Sequence, residues 1–290
     1  ICVAVTHSVF WSIMTPLAAR VAPFGRQSLG LAMVMGGTIV ATVMGVPLGT
    51  RLGQIVGWQG AFFIIGLAAA VIWLVIYFVL PVCESNRAGS LKSLPDLFRR
   101  PALVQLYLLT LVVILGQFTV YSYISPILTT VTGMAESETV TVLFVFGISG
   151  IIGTILSTRS LDKHYSMALL VPLILLTLCL GFFVLSMRQT WTMYVLVVVW
   201  GACISAVGMA FQTLLLNTAR DAADVATSMF SGIFNIGIGG GAFIGSKVSV
   251  ALGFAAVPYV GAGLVGVCAL ACSLIFCFTG SAVLGAKHRS

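Results

Sequence analysis

The sequence predicts an all-α, polytopic membrane protein assembled from two related halves. Three observations predict it: the scarcity of charge, the length of the uncharged runs and an internal repeat. Of 290 residues, 60% are hydrophobic and only 7% are charged. A soluble domain carries about 25% charged residues because its surface must face water. Uncharged stretches cover residues 1–19, 27–50, 52–83, 101–135, 139–158, 164–187, 189–219, 225–246 and 248–286. Each supplies the roughly 20 residues that a helix needs to cross a bilayer.

The elements follow in chain order. Residues 1–19 form a first span that carries THSVFWS, with His7 and Trp11. The second span opens with GGTIVATVMGVPLGTRLG, five glycines and a proline in an apolar run. Glycine and proline cost a helix interior about 1 and 3 kcal/mol, so their presence needs a reason. In lipid, helices associate through close packing, which small residues permit. Gly37, Gly45, Gly49 and Gly53 are spaced 8, 4 and 4 and are read as one packing face, with Pro47 adding a bend. Thr38 and Thr42 share a face of the same helix. GQIVGWQG trims the third span, and residues 1–82 are read as part of the first half. The polar segment 83–102 is a linker, expected to lie along the membrane as a short interfacial helix.

Residues 103–280 are read as a complete second half of six helices, followed by a tail at 281–290. Its first span ends in ISPILTTVTG. The next runs through Gly147, Gly150 and Gly153 into the loop STRSLDKHYS, where Arg159, Asp162 and Lys163 are placed to latch helix ends. A plain solvated loop is the other reading. Shifting the chain by 196 residues returns the glycine pattern: Gly36, Gly45, Gly49 and Gly57 fall on Gly232, Gly241, Gly245 and Gly253, and Arg51 on Lys247. Gly241 and Gly245 are therefore the second packing face. Six spans separate the copies, so both run in one direction, the parallel repeat of a two-half transporter. By the same offset, three further helices are expected ahead of residue 1, making the nine spans helices 4–12 of twelve.

Placing the tail GAKHRS in the cytoplasm puts eleven Lys and Arg on that side and only Arg51, Arg188 and Lys247 on the other. That is a strong positive-inside bias, and it accounts for the +7 net charge without a nucleic acid. Cysteines within spans behave as small hydrophobes. With no CxxC and three scattered histidines, no metal site is expected. HExxH, GxSxG and Walker-type glycine loops are absent, so neither an enzyme nor an ATP-driven pump is indicated.

The seven acidic residues fall in loops or at span ends. An intramembrane carboxylate usually marks a proton relay or cation site, so the candidate cavity is uncharged. Gln117, Tyr121 and Ser125 follow Thr110 along one stripe. Ser231 and Asn235 share another with Ser228, and Gln212 lies on a third, beside Trp200. Amides and aromatic rings suit a neutral polyhydroxylated ligand, whose hydroxyls both donate and accept. Interhelical hydrogen bonding is the plainer reading of each residue. His7 is open to three roles: packing, ligand contact or proton carriage.

HSVFWS, VMGVPLGTRLGQIVGW, GSLKSLPDLFRRPAL, YSYISP and DVATSMFSGIFNIGIGGGAFIG together resemble the bacterial sugar efflux transporters. These belong to the drug:proton antiporter branch of the major facilitator superfamily, and the resemblance covers essentially the whole chain. It implies the major facilitator superfamily fold in a bacterial inner membrane. It also implies export of arabinose- or thiogalactoside-like sugars against protons, driven by the proton gradient with no cofactor. Substrate, protons and lipid are the expected partners of a monomer. In relatives the residue before the proline of YSYISP is often glutamate, whereas Ser125 stands here. Multidrug export on the same fold, and an inserted remnant that transports nothing, are the alternatives.

Overall fold

The computed structural model describes residues 27–80, 94–161, 165–187 and 189–279, with Phe10, Met14, Leu17, Ala18, Val21 and Ala22. Among these residues all regular structure is helical. The helices are α1 (Gln27–Val79), α2 (Leu94–Phe98), α3 (Pro101–Tyr121), α4 (Ile124–Thr132), α5 (Glu136–Leu161), α6 (Tyr165–Ser186), α7 (Thr190–Thr218), α8 (Ala223–Leu252) and α9 (Val257–Thr279). Seven helices among the described residues are long and apolar enough to cross a membrane. The expected span at 1–19 lies largely outside the described residues.

Helix is the form these segments can take in lipid, because it satisfies backbone polar groups within the segment. Hydroxyls follow the same rule. Thr110, Thr119 and Thr177 donate to the carbonyls of Leu106, Leu115 and Leu173, four residues back, at 2.8, 2.7 and 2.9 Å. These side chains are thereby made neutral toward the hydrocarbon without help from a second helix.

The repeat is written into the backbone. α1 breaks at Gly57 (φ 75°, ψ 164°), and α8 ends at Gly253 (φ 84°, ψ 165°), 196 residues later. This left-handed extended region is open to essentially glycine alone. The break divides α1 into arms at 27–56 and 58–79, each long enough to span. It falls within GQIVGWQG, the stretch expected to trim the third span. Arg51 is exposed inside the helix, and a long basic side chain near a helix end can reach the membrane surface. Lys247 repeats the arrangement inside α8, its ammonium 5.5 Å from the Phe243 ring centre.

Between α3 and α4 the span breaks again, at Ser122 and Tyr123. Pro126 accounts for it: proline has no N–H to donate, and its ring crowds the carbonyl of residue 122. α4 then ends on Gly133 in the left-handed conformation, φ 72°, the usual glycine stop.

α3 packs between α8 and α9; α9 also meets α6, α6 meets α7, α7 meets α5, and α5 meets α1. Small residues set these distances. A Cβ at Gly241 would lie 2.9 Å from the Thr119 nitrogen, and one at Gly245 2.6 Å from the Thr119 carbonyl oxygen. Gly116 and Gly261 are each so close that a Cβ on one would lie 2.8 Å from the carbonyl oxygen of the other. Gly153 and Gly201 play this part between α5 and α7. Leu97 of the short linker helix α2 is fully buried in the main core, while Phe98 beside it is exposed.

The 58–79 arm of α1 is apolar around its whole circumference and mostly exposed, as expected of a helix that lipid or other helices surround. Replacing Gly57 or Gly253 by alanine should lower stability by about 1–3 kcal/mol through backbone strain. Gly263→Ala, at a helical position with open space beside it, should not. Thermal unfolding in detergent compares the three.

Candidate functional site

The site begins with Gln117, an amide 2% exposed in the last turns of α3. Burying an amide is costly unless it is hydrogen-bonded, and α8 and α9 already cover two sides of this helix. The partner comes from α7. Trp200, fully buried, donates its indole N–H to Gln117 Oε1 at 2.6 Å.

Aromatic rings enclose that bond. Phe183 of α6 and Phe146 of α5 stand edge-on to Trp200 at 5.3 and 5.2 Å, and Tyr121 of α3 stands edge-on at 6.3 Å. Tyr121 also lies 4.8 Å from Phe146, tilted by 33°. Phe118 carries the cluster on to Phe234 of α8 at 6.5 Å. Each edge-to-face pair contributes about 0.5–1.5 kcal/mol beyond area burial. Gln117 and Tyr121, four residues apart, present one face of α3 to this shell.

Other residues singled out in the sequence lie elsewhere. Asn235 is half-buried on α8, next to Phe234, and donates to the Ser231 carbonyl at 2.8 Å. Ser125, in the first turn of α4, is half-buried, and its carbonyl accepts from Thr129 at 3.1 Å. Gln212 is exposed toward the far end of α7. Thr38 and Gly37 line an open apolar cleft of about 600 Å³ with Phe10, Met14, Met33 and Val34. Thr38 donates back to Val34 at 2.9 Å.

Gly241 and Gly245 lie against α3, whereas Gly45, Gly49 and Gly53 have no described atom within 4 Å of where a Cβ would stand. Pro47 is buried. His7, Trp11, Asp162, Lys163 and the side chains of Thr42 and Arg159 lie outside the described residues. The structure thus brings together Gln117, Tyr121 and Trp200, with Asn235 approached through Phe234.

Phe118, Phe146, Phe183 and Phe234 are not legible in the sequence as part of this shell, because an inward-facing phenylalanine has the same local pattern as one facing lipid. A second feature missed is the clasp at the start of α3. Arg100 donates two parallel hydrogen bonds to Asp221, at 2.8 and 2.5 Å, across 121 residues. Tyr107 and Tyr123 extend the attachment along α8, donating to the carbonyls of Ala226 and Ala242 at 3.0 and 3.1 Å. At the other inter-helix boundary, Gln54 of α1 donates to the Glu136 carbonyl at the start of α5, at 2.8 Å.

The family model for the Major Facilitator Superfamily matches residues 1–242. The chain belongs to the Major Facilitator Superfamily. It is accordingly a multi-pass membrane protein of a family of secondary transporters. In the superfamily, substrate sites lie near the bilayer midplane where the repeats meet, and an uncharged, aromatic-walled amide on a bundle helix is chemistry suited to such a site.

The Arg100 hydrogen bonds hold the Asp221 carboxyl down at about 2, below its usual 3.8. A lowered folded-state pKa means that the clasp's contribution is complete above about pH 4 and fades as pH falls through 2. Aspartate-labelled ¹³C NMR should show Asp221 titrating near pH 2, and Arg100→Gln should move it upward toward 3.8. An unmoved midpoint in that variant would break the assignment of the shift to Arg100.

Proposed function

We propose that this transporter exports small neutral sugars or sugar analogues, of the arabinose or thiogalactoside kind, in exchange for protons. It does so by alternating access, from a bacterial inner membrane with its C-terminus in the cytoplasm. The observation that carries the reading is the buried Gln117 amide held inside the shell of Tyr121, Phe146, Phe183 and Trp200. A pyranose or furanose has apolar C–H faces that lie well on aromatic rings, and hydroxyls that pair with amides and phenols. Charge supports the same choice. Among the described residues Asp96, Glu136, Glu138 and Asp221 stand at helix ends or turns, and no described side chain sets a carboxylate beside Gln117.

Multidrug export on the same fold is the second reading, and the breadth of the phenylalanine shell favours it. Efflux separates the two. Cells expressing the protein should lose preloaded labelled arabinose or isopropyl thiogalactoside several-fold faster than vector controls, and a protonophore should abolish the difference. Retention equal to the controls, with faster loss of a lipophilic dye, would replace sugar export by drug export.

A further inference from the structure

We infer that Trp200 is a positioning residue that fixes the Gln117 amide with its NH₂ toward the cavity, so that this point of the site recognises an oxygen that accepts. This rests on the cavity proposed above and specifies which ligand group the cavity takes.

The orientation follows from chemistry rather than from the assignment of amide atoms. An indole N–H donates and cannot accept. At 2.6 Å from the Gln117 amide, it must therefore meet the carbonyl oxygen. The reverse orientation would set two donors against each other. Trp200 cannot swing away to relieve that choice, because it is fully buried with Phe146, Phe183 and Tyr121 standing edge-on around it.

The other end of the amide is unengaged. The Gln117 NH₂ donates to no described residue, although the residue is only 2% exposed. Nor is it sealed in. Among the described residues the buried, unpaired side-chain polar atom is Gln54 Oε1, so the Gln117 NH₂ keeps the small accessible surface of this 2%-exposed residue. The Tyr121 hydroxyl, one turn along the same face, also has no protein partner among the described residues. The cavity thus offers a fixed donor beside a hydroxyl that can donate or accept.

A ligand oxygen that only accepts satisfies Gln117 as well as a hydroxyl does. A test uses thiogalactosides in which one hydroxyl at a time is replaced by hydrogen or by fluorine, as inhibitors of labelled thiogalactoside efflux. Fluorine keeps a weak acceptor and removes the donor. At one ring position the deoxy compound should inhibit about tenfold more weakly, the equivalent of one neutral hydrogen bond. The fluoro compound at that position should keep most of its potency. Trp200→Phe frees the amide to turn over and should shrink the gap to less than about threefold. Gln117→Met removes the donor altogether and should erase the gap.

Independently of transport, the Trp200 indole proton resonance should move in Gln117→Met, which leaves the N–H without its acceptor. A fluoro series that loses as much as the deoxy series at every position overturns the inference while leaving sugar export standing. An indole resonance unmoved in Gln117→Met overturns it as well. If the wild-type protein moves no sugar, the functional reading fails, and the indole resonance still decides whether the amide is fixed.

Discussion

Hydrocarbon offers a polar group no partner, so each one carried into the membrane must be matched inside the protein. The molecule meets that constraint at three ranges. Backbone groups are matched within helices. Hydroxyls such as those of Thr110 and Thr177 turn back onto their own helix. A smaller set reaches across: Tyr107 and Tyr123 to carbonyls of α8, and Trp200 to Gln117. Cross-helix bonds of this last kind are modest individually in membrane proteins, roughly 0.6 kcal/mol on average. Their effect is to select one arrangement of helices from the many that would pack apolar surfaces equally well.

Glycine then decides how near the helices come. Gly241, Gly245 and Gly261 bring α8 and α9 onto the backbone of α3, and the tyrosine bonds with the Arg100–Asp221 clasp hold α3 to α8 along its length. With two sides of α3 taken up, the face that carries Gln117 and Tyr121 is left for α7 and α5. The clasp stays charged throughout the physiological range, as an aspartate paired with an arginine does, and it acts there as a fixed joint rather than as a pH sensor.

The two copies of the glycine motif share a backbone and differ in surroundings. Gly57 and Gly253 adopt the same restricted conformation, while Gly241 and Gly245 are packed and their counterparts Gly45 and Gly49 have no described atom within 4 Å of where a Cβ would stand. α1 meets α5 at another part of its circumference, where Gln54 bonds Glu136 and where the buried Val43 and Pro47 share its face. A repeat thus preserves what the local backbone requires, and each copy then takes the neighbours that its position in the bundle supplies.

The membrane class and the superfamily fold are legible in composition and spacing alone. Charge scarcity and run length require membrane helices, and a period of 196 residues requires two related halves. These are sums over many residues, so no single contact can overturn them. Pro126, acting on the carbonyl four residues before it, breaks the span after α3 and takes Ser125 off the stripe that spacing alone assigns to it with Gln117 and Tyr121. The tertiary structure decided which polar residues share a site. Gln117, Tyr121, Gln212 and Asn235 have the spacing of inward stripes and Trp200 lies beside one, yet only Gln117, Tyr121 and Trp200 meet, and Gln212 is exposed. It alone supplied Phe146 and Phe183 and the pairing of Arg100 with Asp221. The physical reason is common to these cases. Each depends on how a helix is rotated and how closely it approaches a partner far away in the chain, and a helical stripe read from spacing fixes neither.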